Sequence, residues 1–149
     1  MQETVVIGAA GRMGSAIVNQ VRQDEDLSLV AAVDSPQNPH QGEDAGQVAG
    51  GAPCGVNISS DAVGALGENY AVIDFSSPDA TMMHIGKCIE KGCSLVIGTT
   101  GFSSDQIAEI EEPGVMDEPD IIGEIGQARD IEVEIGVIDD AIAGDVEQD

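Results

Sequence analysis

A strand-length apolar run that leads directly into a glycine-rich turn is the feature that most constrains the fold of this chain. The residues read "TVVIGAAGRMG" over 4–14, with Gly8, Gly11 and Gly14 spaced three apart. The β-branched run is typical of a buried strand, and residues 11–23 carry apolar side chains at helical spacing. Glycine at the first position permits a tight turn, and at the third it lets the helix lie close to the sheet. The segment therefore predicts the first strand, turn and helix of a βαβ unit.

Further apolar runs of strand length alternate with helical patterns. Strands separated by helices imply right-handed crossovers and a parallel sheet. We therefore predict a doubly wound α/β domain of the Rossmann type over residues 1–112. A weaker stretch at 54–68 adds a short strand and a helical turn. The main strands are predicted at 4–8, 27–34, 71–75 and 94–100.

The later helices are marked by their end signals. Pro78 opens the second helix and Gly92 closes it, as proline and glycine commonly do at these two ends. Ser103 and Gln106 have the spacing of a capping box, which predicts the start of a third helix. The apolar side chains predicted to face the core are Met13, Ile17, Val18 and Val21 on the first helix, and Met82, Ile85 and Ile89 on the second, with Met83 also filling the core.

The charge balance of the chain is strongly acidic. There are 28 Asp and Glu residues against 5 Lys and Arg, for a formal net charge of −23. So few cations cannot form a nucleic-acid-binding surface. A disordered acidic chain is one interpretation, but the 42% hydrophobic content and the periodic segments favour a folded one. The other is adaptation to a salt-rich cytoplasm, where the Debye length falls to about 3 Å at 1 M and self-repulsion is screened.

Cysteine and histidine usage indicates neither a disulfide framework nor a metal site. Cys54, Cys88 and Cys93 are odd in number, form no C-x-x-C pair and are accompanied by only two histidines. We expect free thiols in a reducing compartment. Because the chain has no exported leader pattern and no run of about 18 apolar residues, we expect a cytoplasmic protein with no membrane partner.

The glycine turn also predicts an anion site. At Gly11 a phosphate can approach the backbone, and the free amides and positive dipole end of the following helix would face it. The spacing departs from G-x-G-x-x-G, so the interpretation as a dinucleotide pyrophosphate site depends on the preceding strand and following helix. Arg12 lies in the turn and would offset repulsion of the pyrophosphate; an ordinary surface arginine is the alternative.

An acidic residue at the end of the second strand supports the same site. Asp34 lies 20 residues beyond Gly14, where a carboxylate can bind the adenosine ribose hydroxyls. Residues 35–39, "SPQNP", offer no Lys or Arg to a 2′-phosphate, so NADH is expected in preference to NADPH. An ordinary loop aspartate is the alternative. His84, among apolar residues, is interpreted as a partly buried structural histidine rather than a catalytic one.

Four segments in order resemble one family. "GAAGRMG", "GEDAGQVAG", "AVIDFSSP" and "VIGTTGF" are similar to the nucleotide-binding domain of dihydrodipicolinate reductase, also called 4-hydroxy-tetrahydrodipicolinate reductase, of the diaminopimelate route to lysine. The resemblance covers residues 1–112. It implies a homotetrameric reductase that transfers hydride from NADH or NADPH to a cyclic imine dicarboxylate.

The resemblance also implies roles for individual residues. Gly8, Ala9, Ala10, Gly11, Arg12 and Met13 would cradle the pyrophosphate. Asp34 would hold the ribose, and Phe75 would line the cofactor cleft. Gly98, Thr99 and Thr100 would border the nicotinamide, with Thr100 also near the substrate.

The catalytic part of the family pattern is missing from this sequence. The family's substrate domain carries E-x-H-H-x-x-K, whose histidine and lysine serve as proton donor and carboxylate binder, and no such string occurs here. No catalytic residue is therefore assigned. The acidic tail, residues 113–149, resembles a later fragment of the substrate and tetramerisation domain. The alternatives to an active reductase are a catalytically impaired dinucleotide-binding module and an internally deleted fragment.

Overall fold

The computed structural model describes residues 1–110 and 121–123, which build a six-stranded sheet with helices packed against it. The strand order is β3-β2-β1-β4-β5-β6, and each pair of neighbouring strands is parallel. The predicted doubly wound α/β class is thereby confirmed. The strands are β1 (Gln2–Ile7), β2 (Leu27–Val33), β3 (Ile58–Ser59), β4 (Ala71–Asp74), β5 (Ser94–Ile97) and β6 (Ile121–Gly123), and the helices are α1 (Arg12–Gln23), α2 (Ala45–Val48), α3 (Pro78–Lys91) and α4 (Ser104–Ile110).

The central strand β1 supplies side chains to a hydrophobic core on each face of the sheet. Because successive residues of a strand point to opposite faces, Val6 packs in the core beneath α1, whereas Val5 and Ile7 pack in the core beneath α3. All three are 3% exposed or less. A strand that is covered on both faces reads as a continuous apolar run, which is why "TVVI" shows no alternation.

The strands end earlier than the sequence predicts, and the residues left over form the loops at one edge. Gly8, Asp34 and Phe75 each follow the last residue of a strand, and β5 ends at Ile97 rather than at Thr100. Gly8 has a φ of +86°, which is incompatible with a strand. The predicted strand ends are therefore loop residues.

The buried face of α3 differs from the predicted apolar stripe. Its buried residues are Thr81, His84, Ile85 and Cys88. Ile89 is 38% exposed and Met83 is 51% exposed, so their assignment to the core was wrong. Periodicity placed Ile85 in the core and Met82 against it correctly. It missed Thr81 and His84 because these side chains are polar and are satisfied by hydrogen bonds to neighbouring elements. On α1 the prediction holds for Ile17, Val18 and Val21, while Met13 is half-buried.

Side chains cap the starts of α2, α3 and α4, and at α3 the Ser77 Oγ accepts a hydrogen bond from the Ala80 amide at 3.4 Å. The predicted capping box is confirmed: the Ser103 amide donates to Gln106 Oε1 at 2.9 Å, and the Gln106 amide donates to Ser103 Oγ at 3.1 Å. The short helix α2 was not predicted. Its N-cap is Asp44, whose carboxylate also accepts hydrogen bonds from the amides of Cys54 and Gly55.

The remaining predictions concern the weak segment and the tail. Ile58–Ser59 is the predicted short strand, and the turn predicted after it lies at residues 62–66, where the amides of Ala65 and Leu66 each donate to the carbonyl three residues earlier. Strand β6 pairs with β5 and lies beyond the predicted domain boundary at residue 112. The division into 1–112 and 113–149 stays a prediction, and so does the resemblance of the tail to a substrate-domain fragment. Most of the tail lies outside the described residues.

The three cysteines are free; Cys88 and Cys93 are buried and Cys54 is half-buried. Burial raises the pKa of the Cys88 thiol to about 12 and also raises that of Cys93. Within residues 1–110 and 121–123, no helix is both long and apolar enough to cross a membrane.

Candidate functional site

The loops that follow β1, β2, β4 and β5 meet along the carboxyl edge of the sheet. The chain runs from β1 to β2 on one side and later returns to β4 on the other, so the strand order reverses beside β1. Crevices at such a reversal are where open α/β sheets bind ligands. Two adjoining cavities of about 450 and 310 Å³ lie here, which we call the larger and the smaller cavity. Both are lined by Gly8, Gly11, Phe75 and Ser76.

Two of the three turn glycines are required by the packing of the chain itself. Gly8 has positive φ, and a Cβ there would lie 2.5 Å from the Phe75 carbonyl oxygen. A Cβ on Gly14 would overlap the Gly8 carbonyl group. Gly14 therefore lets α1 approach the turn closely, and any side chain there would force α1 away from the turn.

Gly11 is different, because none of the described residues around it requires a glycine there. Its φ of −78° is accessible to any residue. Among residues 1–110 and 121–123, a Cβ at this position would meet only the Gly8 carbonyl oxygen, at 3.4 Å, which is a tolerable contact. Gly11 is exposed and lines both cavities. The space that a side chain would occupy is therefore the space of the cleft.

The hydrogen bonds of the turn show which amides remain for a ligand. The amides of Gly8 and Ala9 donate to the Val33 carbonyl, and that of Gly11 donates to the Gly8 carbonyl. The Ala10 amide donates to Asp34 Oδ2 at 2.8 Å. The chain itself therefore uses the amides of all four residues from Gly8 to Gly11.

The free amides belong to the first turn of α1. Within the part of the chain that the structure describes, the amides of Arg12, Met13 and Gly14 have no acceptor, and no side chain caps this helix. These amides and the positive end of the helix dipole border the smaller cavity. Such an arrangement favours an anionic ligand. Arg12 is exposed and is the only Lys or Arg among the described residues that line either cavity.

Asp34 lies in the wall of the larger cavity and is held by backbone amides. Its Oδ2 accepts from the Ala10 amide, and its Oδ1 accepts from the Ser35 amide at 2.7 Å. The side-chain amide of Gln41 donates to the Asp34 carbonyl at 2.9 Å and thereby fixes the following loop. A carboxylate oxygen can accept further hydrogen bonds, so Asp34 can also bind hydroxyl groups in the cavity.

A buried acid and a histidine lie side by side beneath the cleft. Asp74 is fully buried, and its Oδ2 lies 2.6 Å from His84 Nδ1. Its Oδ1 accepts from the amide of Ser76 at 2.9 Å and from the hydroxyl of Ser76 at 2.5 Å. The structural interpretation of His84 is consistent with this pairing, although His84 is 3% exposed rather than partly buried and lines the larger cavity.

The segment after β5 forms the far wall of the smaller cavity, to which Gly98, Thr99 and Thr100 contribute. A Cβ on Gly98 would overlap the Phe75 ring, so the two residues pack directly together. The Thr99 side chain is buried and bonded to Thr81 and to the Asp74 carbonyl, whereas Thr100 is exposed.

Nine of the eleven predicted cofactor residues line the cleft and two do not. Ala9 is buried in the core, and the contribution of Ala10 to the site is its amide, which Asp34 takes up. Asp74 and Ser76 were not predicted as site residues. The same signal that singled out Asp34, an acid at the end of a buried strand, also marks Asp74. The predicted residues in the cleft are Gly8, Gly11 and Phe75 in both cavities, Asp34 in the larger one, and Arg12, Met13, Gly98, Thr99 and Thr100 in the smaller one.

Comparisons with known proteins agree on one family for this chain. The family model described as "Dihydrodipicolinate reductase, N-terminus" matches residues 2–118. A 4-hydroxy-tetrahydrodipicolinate reductase from Anaeromyxobacter dehalogenans (strain 2CP-C) is 46% identical over 112 residues, covering 75% of this chain and 42% of the relative. One from Nitrosospira multiformis is 42% identical over 101 residues, covering 68% of this chain and 37% of the relative.

A solved structure shares the fold. The dipicolinate-bound dihydrodipicolinate reductase from Paenisporosarcina sp. TG-14 matches with a TM-score of 0.54 and 23% identity, covering 73% of this chain and 41% of that one. The chain spans about two fifths of the length of the curated relatives it matches. Because the family model covers most of the chain, the predicted resemblance is confirmed, and the chain belongs to the dihydrodipicolinate reductase family, of which it carries the N-terminal part.

Proposed function

We propose that this chain binds NADH across the two cavities, as the nucleotide-binding part of a reductase that acts on 4-hydroxy-tetrahydrodipicolinate in lysine biosynthesis. The observation that carries the proposal is the presence of a glycine at position 11. Neither its backbone conformation nor its described neighbours require a glycine, yet Gly11 lines both cavities beside the free amides of α1. That combination favours a ligand with phosphate groups close to the backbone.

The polar groups of the cleft indicate how the cofactor lies. The pyrophosphate would accept hydrogen bonds from the amides of Arg12, Met13 and Gly14, with the Arg12 guanidinium supplying positive charge. The adenosine ribose would lie in the larger cavity against Asp34. The nicotinamide would then lie in the smaller cavity, bordered by the segment 98–100 and by Phe75.

The larger cavity favours NADH over NADPH. A 2′-phosphate would be placed near the Asp34 carboxylate, and none of the described residues that line this cavity is Lys or Arg. Two negative groups without a cation between them repel each other, and repulsion is strong where water is partly excluded. A ribose with free hydroxyls would instead donate hydrogen bonds to Asp34.

The cofactor and the described residues would have different roles in the reaction. The cofactor supplies the hydride, and these residues bind it, orient it and shield one side of it from water. Thr100 is exposed at the nicotinamide end, where it would also border a cyclic imine dicarboxylate. We propose that the chain acts in the cytoplasm as part of a homotetramer, with residues 1–112 as the nucleotide-binding domain and 113–149 as a substrate-domain fragment.

A cofactor-binding chain without turnover is the second candidate. It is favoured by the absence of the E-x-H-H-x-x-K string from the sequence. General acid–base catalysis typically contributes about 10²- to 10⁴-fold to a rate, so a chain without these groups would turn over very slowly. An internally deleted fragment would share this defect.

Two measurements on one sample test the proposal. Titration calorimetry in about 1 M salt, which screens the acidic surface, should show that the wild type binds NADH. It should also show that NADH binds more strongly than NADPH. NADH oxidation is then followed with freshly generated substrate. Binding with turnover supports the reductase, binding without turnover supports the second candidate, and no binding at any salt concentration contradicts both.

A further inference from the structure

Three hydroxyl groups and one acid form a closed ring of short contacts beneath the smaller cavity. Ser76 Oγ lies 2.5 Å from Asp74 Oδ1 and 3.4 Å from Thr81 Oγ1. Thr81 Oγ1 lies 2.8 Å from Thr99 Oγ1, which lies 3.2 Å from the Asp74 carbonyl oxygen. The ring joins the end of β4, the first turn of α3 and the segment after β5.

The three shortest contacts of the ring are hydrogen bonds, and each takes up one hydroxyl proton. Each hydroxyl has one proton to donate. Ser76 gives its proton to the Asp74 carboxylate, Thr81 donates to Thr99, and Thr99 donates to the Asp74 carbonyl. The hydroxyl proton of Thr99 is therefore directed at Asp74, and none remains for a ligand.

Two members of the ring act without reaching the cleft. Ser76 and Thr99 line the smaller cavity, whereas Asp74 and Thr81 line neither cavity and are fully buried. The Asp74 carbonyl also accepts from the Gly98 amide at 2.8 Å. The segment 98–100 is thus anchored to β4 through the Asp74 carbonyl and to α3 through Thr81.

We infer that Thr81 is a positioning residue for the nicotinamide half of the cofactor. Its hydroxyl holds Thr99, and thereby the 98–100 wall, in the geometry that the ligand meets. Because the Thr99 proton is committed, Thr100 supplies the hydroxyl that faces the ligand, and Thr99 contributes its backbone. The inference rests on the proposed function, since it assumes that a dinucleotide occupies the cleft.

The test compares two ligands on two matched variants. Thr81→Val keeps the shape of the side chain but removes the hydroxyl, and Thr81→Ser keeps the hydroxyl. NADH carries both halves of the dinucleotide, while ADP-ribose lacks the nicotinamide. We expect Thr81→Val to weaken NADH binding about three- to tenfold, the loss typical of one hydrogen bond. ADP-ribose binding should stay within about twofold of wild type by the same scale, and Thr81→Ser should restore most of the NADH affinity.

Each outcome decides the inference. An equal loss of both ligands in Thr81→Val, or no loss of either, overturns it, because a merely structural role would not separate the two halves. If Thr81→Val does not fold, Thr99→Val removes the same hydrogen bond from the loop side and should show the same selective loss. If the wild type itself does not bind NADH, the proposed function is contradicted. That outcome differs from failure of the inference about Thr81, because it is seen without any substitution.

Discussion

The carboxylate of Asp34 accepts a hydrogen bond from the backbone amide of Ala10 at 2.8 Å, so the end of β2 is tied to the glycine turn that follows β1. The residue proposed to bind the adenosine ribose therefore also fixes the turn that is proposed to hold the pyrophosphate. A substitution at Asp34 therefore affects both the ribose site and the glycine turn, and the variants must be chosen to separate these two effects.

Replacement of Asp34 should change the preference between the two cofactors. We expect Asp34→Ala to weaken NADH binding about ten- to a hundredfold, the range for charge-assisted hydrogen bonds. NADPH should lose less, because removal of the carboxylate also removes its repulsion of the 2′-phosphate. Titration calorimetry with both cofactors measures this. Asp34→Asn keeps an oxygen for the Ala10 amide and serves as the control for the shape of the turn. If Asp34→Ala lost the same affinity for both cofactors, Asp34 would not bind the ribose.

Substitution of Gly11 should affect NADH binding, whereas substitution of Gly14 should affect thermal stability. Gly11→Val fills the space proposed for a phosphate, so NADH binding should be lost while the protein stays folded, at a cost of about 1 kcal/mol or less from poorer helix capping. Gly14→Ala places its Cβ on the Gly8 carbonyl group and should lower the melting temperature instead. Calorimetric titration and thermal unfolding of both variants check this. Unaltered NADH affinity in Gly11→Val would contradict the phosphate assignment.

These glycines show how far the sequence specifies the site. A βαβ start with an acid at the next strand end located the turn and Asp34, because each signal is local. Which turn amides remain free is not local: Val33, Asp34 and Gly8 take up the amides of residues 8–11, and only the tertiary structure shows it. The same holds for Gly98, whose need to be glycine comes from the Phe75 ring.

The parts of the fold that periodicity missed depend on polar groups satisfied at long range. Hydropathy does not mark Thr81 and His84 as buried, yet they form the inner face of α3 because Thr99 and Asp74 bond to them. The short helix α2 has too few residues for a periodic signal. Its N-cap Asp44 accepts from the local amides of Gly46 and Gln47, but also from those of Cys54 and Gly55, ten and eleven residues later, which no local capping pattern contains.

Asp44 should contribute to stability in a pH-dependent way. Hydrogen bonds from the amides of Cys54 and Gly55, and then of Gln47 and Gly46, lower the pKa of its carboxyl from 3.8 to about 2. A lowered pKa in the folded state means that the contribution is fully present above pH 3.8 and is lost as the pH falls through about 2. Urea unfolding of wild type and Asp44→Asn from pH 6 to about pH 2 should show a stability difference that shrinks over this window. A difference that is independent of pH would contradict the cap.

The thiol of Cys88 should be unreactive in the folded protein. Burial, followed by the neighbouring Cys93, raises its pKa to about 12. Only the thiolate reacts with alkylating reagents, so labelling of Cys88 at pH 8 should be slower than in the unfolded chain by about a thousandfold or more, since each pKa unit is tenfold. Iodoacetamide labelling read by mass spectrometry, with and without denaturant, measures the ratio. Comparable native labelling of Cys88 and the half-buried Cys54 would show that this core opens readily.

Salt should stabilise the protein if its acidity is an adaptation to a salt-rich cytoplasm. At a net charge of −23, screening that shortens the Debye length from about 10 Å at 0.1 M to about 3 Å at 1 M reduces self-repulsion in the compact state. The free energy of unfolding should therefore rise over this range of NaCl. Sucrose, which carries no charge, is the control for general surface exclusion. A free energy of unfolding that does not change with NaCl would contradict the salt interpretation.

The most direct measurement is a crystal structure of the chain with NADH bound at high salt. We expect pyrophosphate oxygens within hydrogen-bond distance of the Arg12, Met13 and Gly14 amides, and a ribose hydroxyl on Asp34. A bound cofactor elsewhere on the molecule, or an empty cleft in crystals grown with saturating NADH, would contradict this expectation.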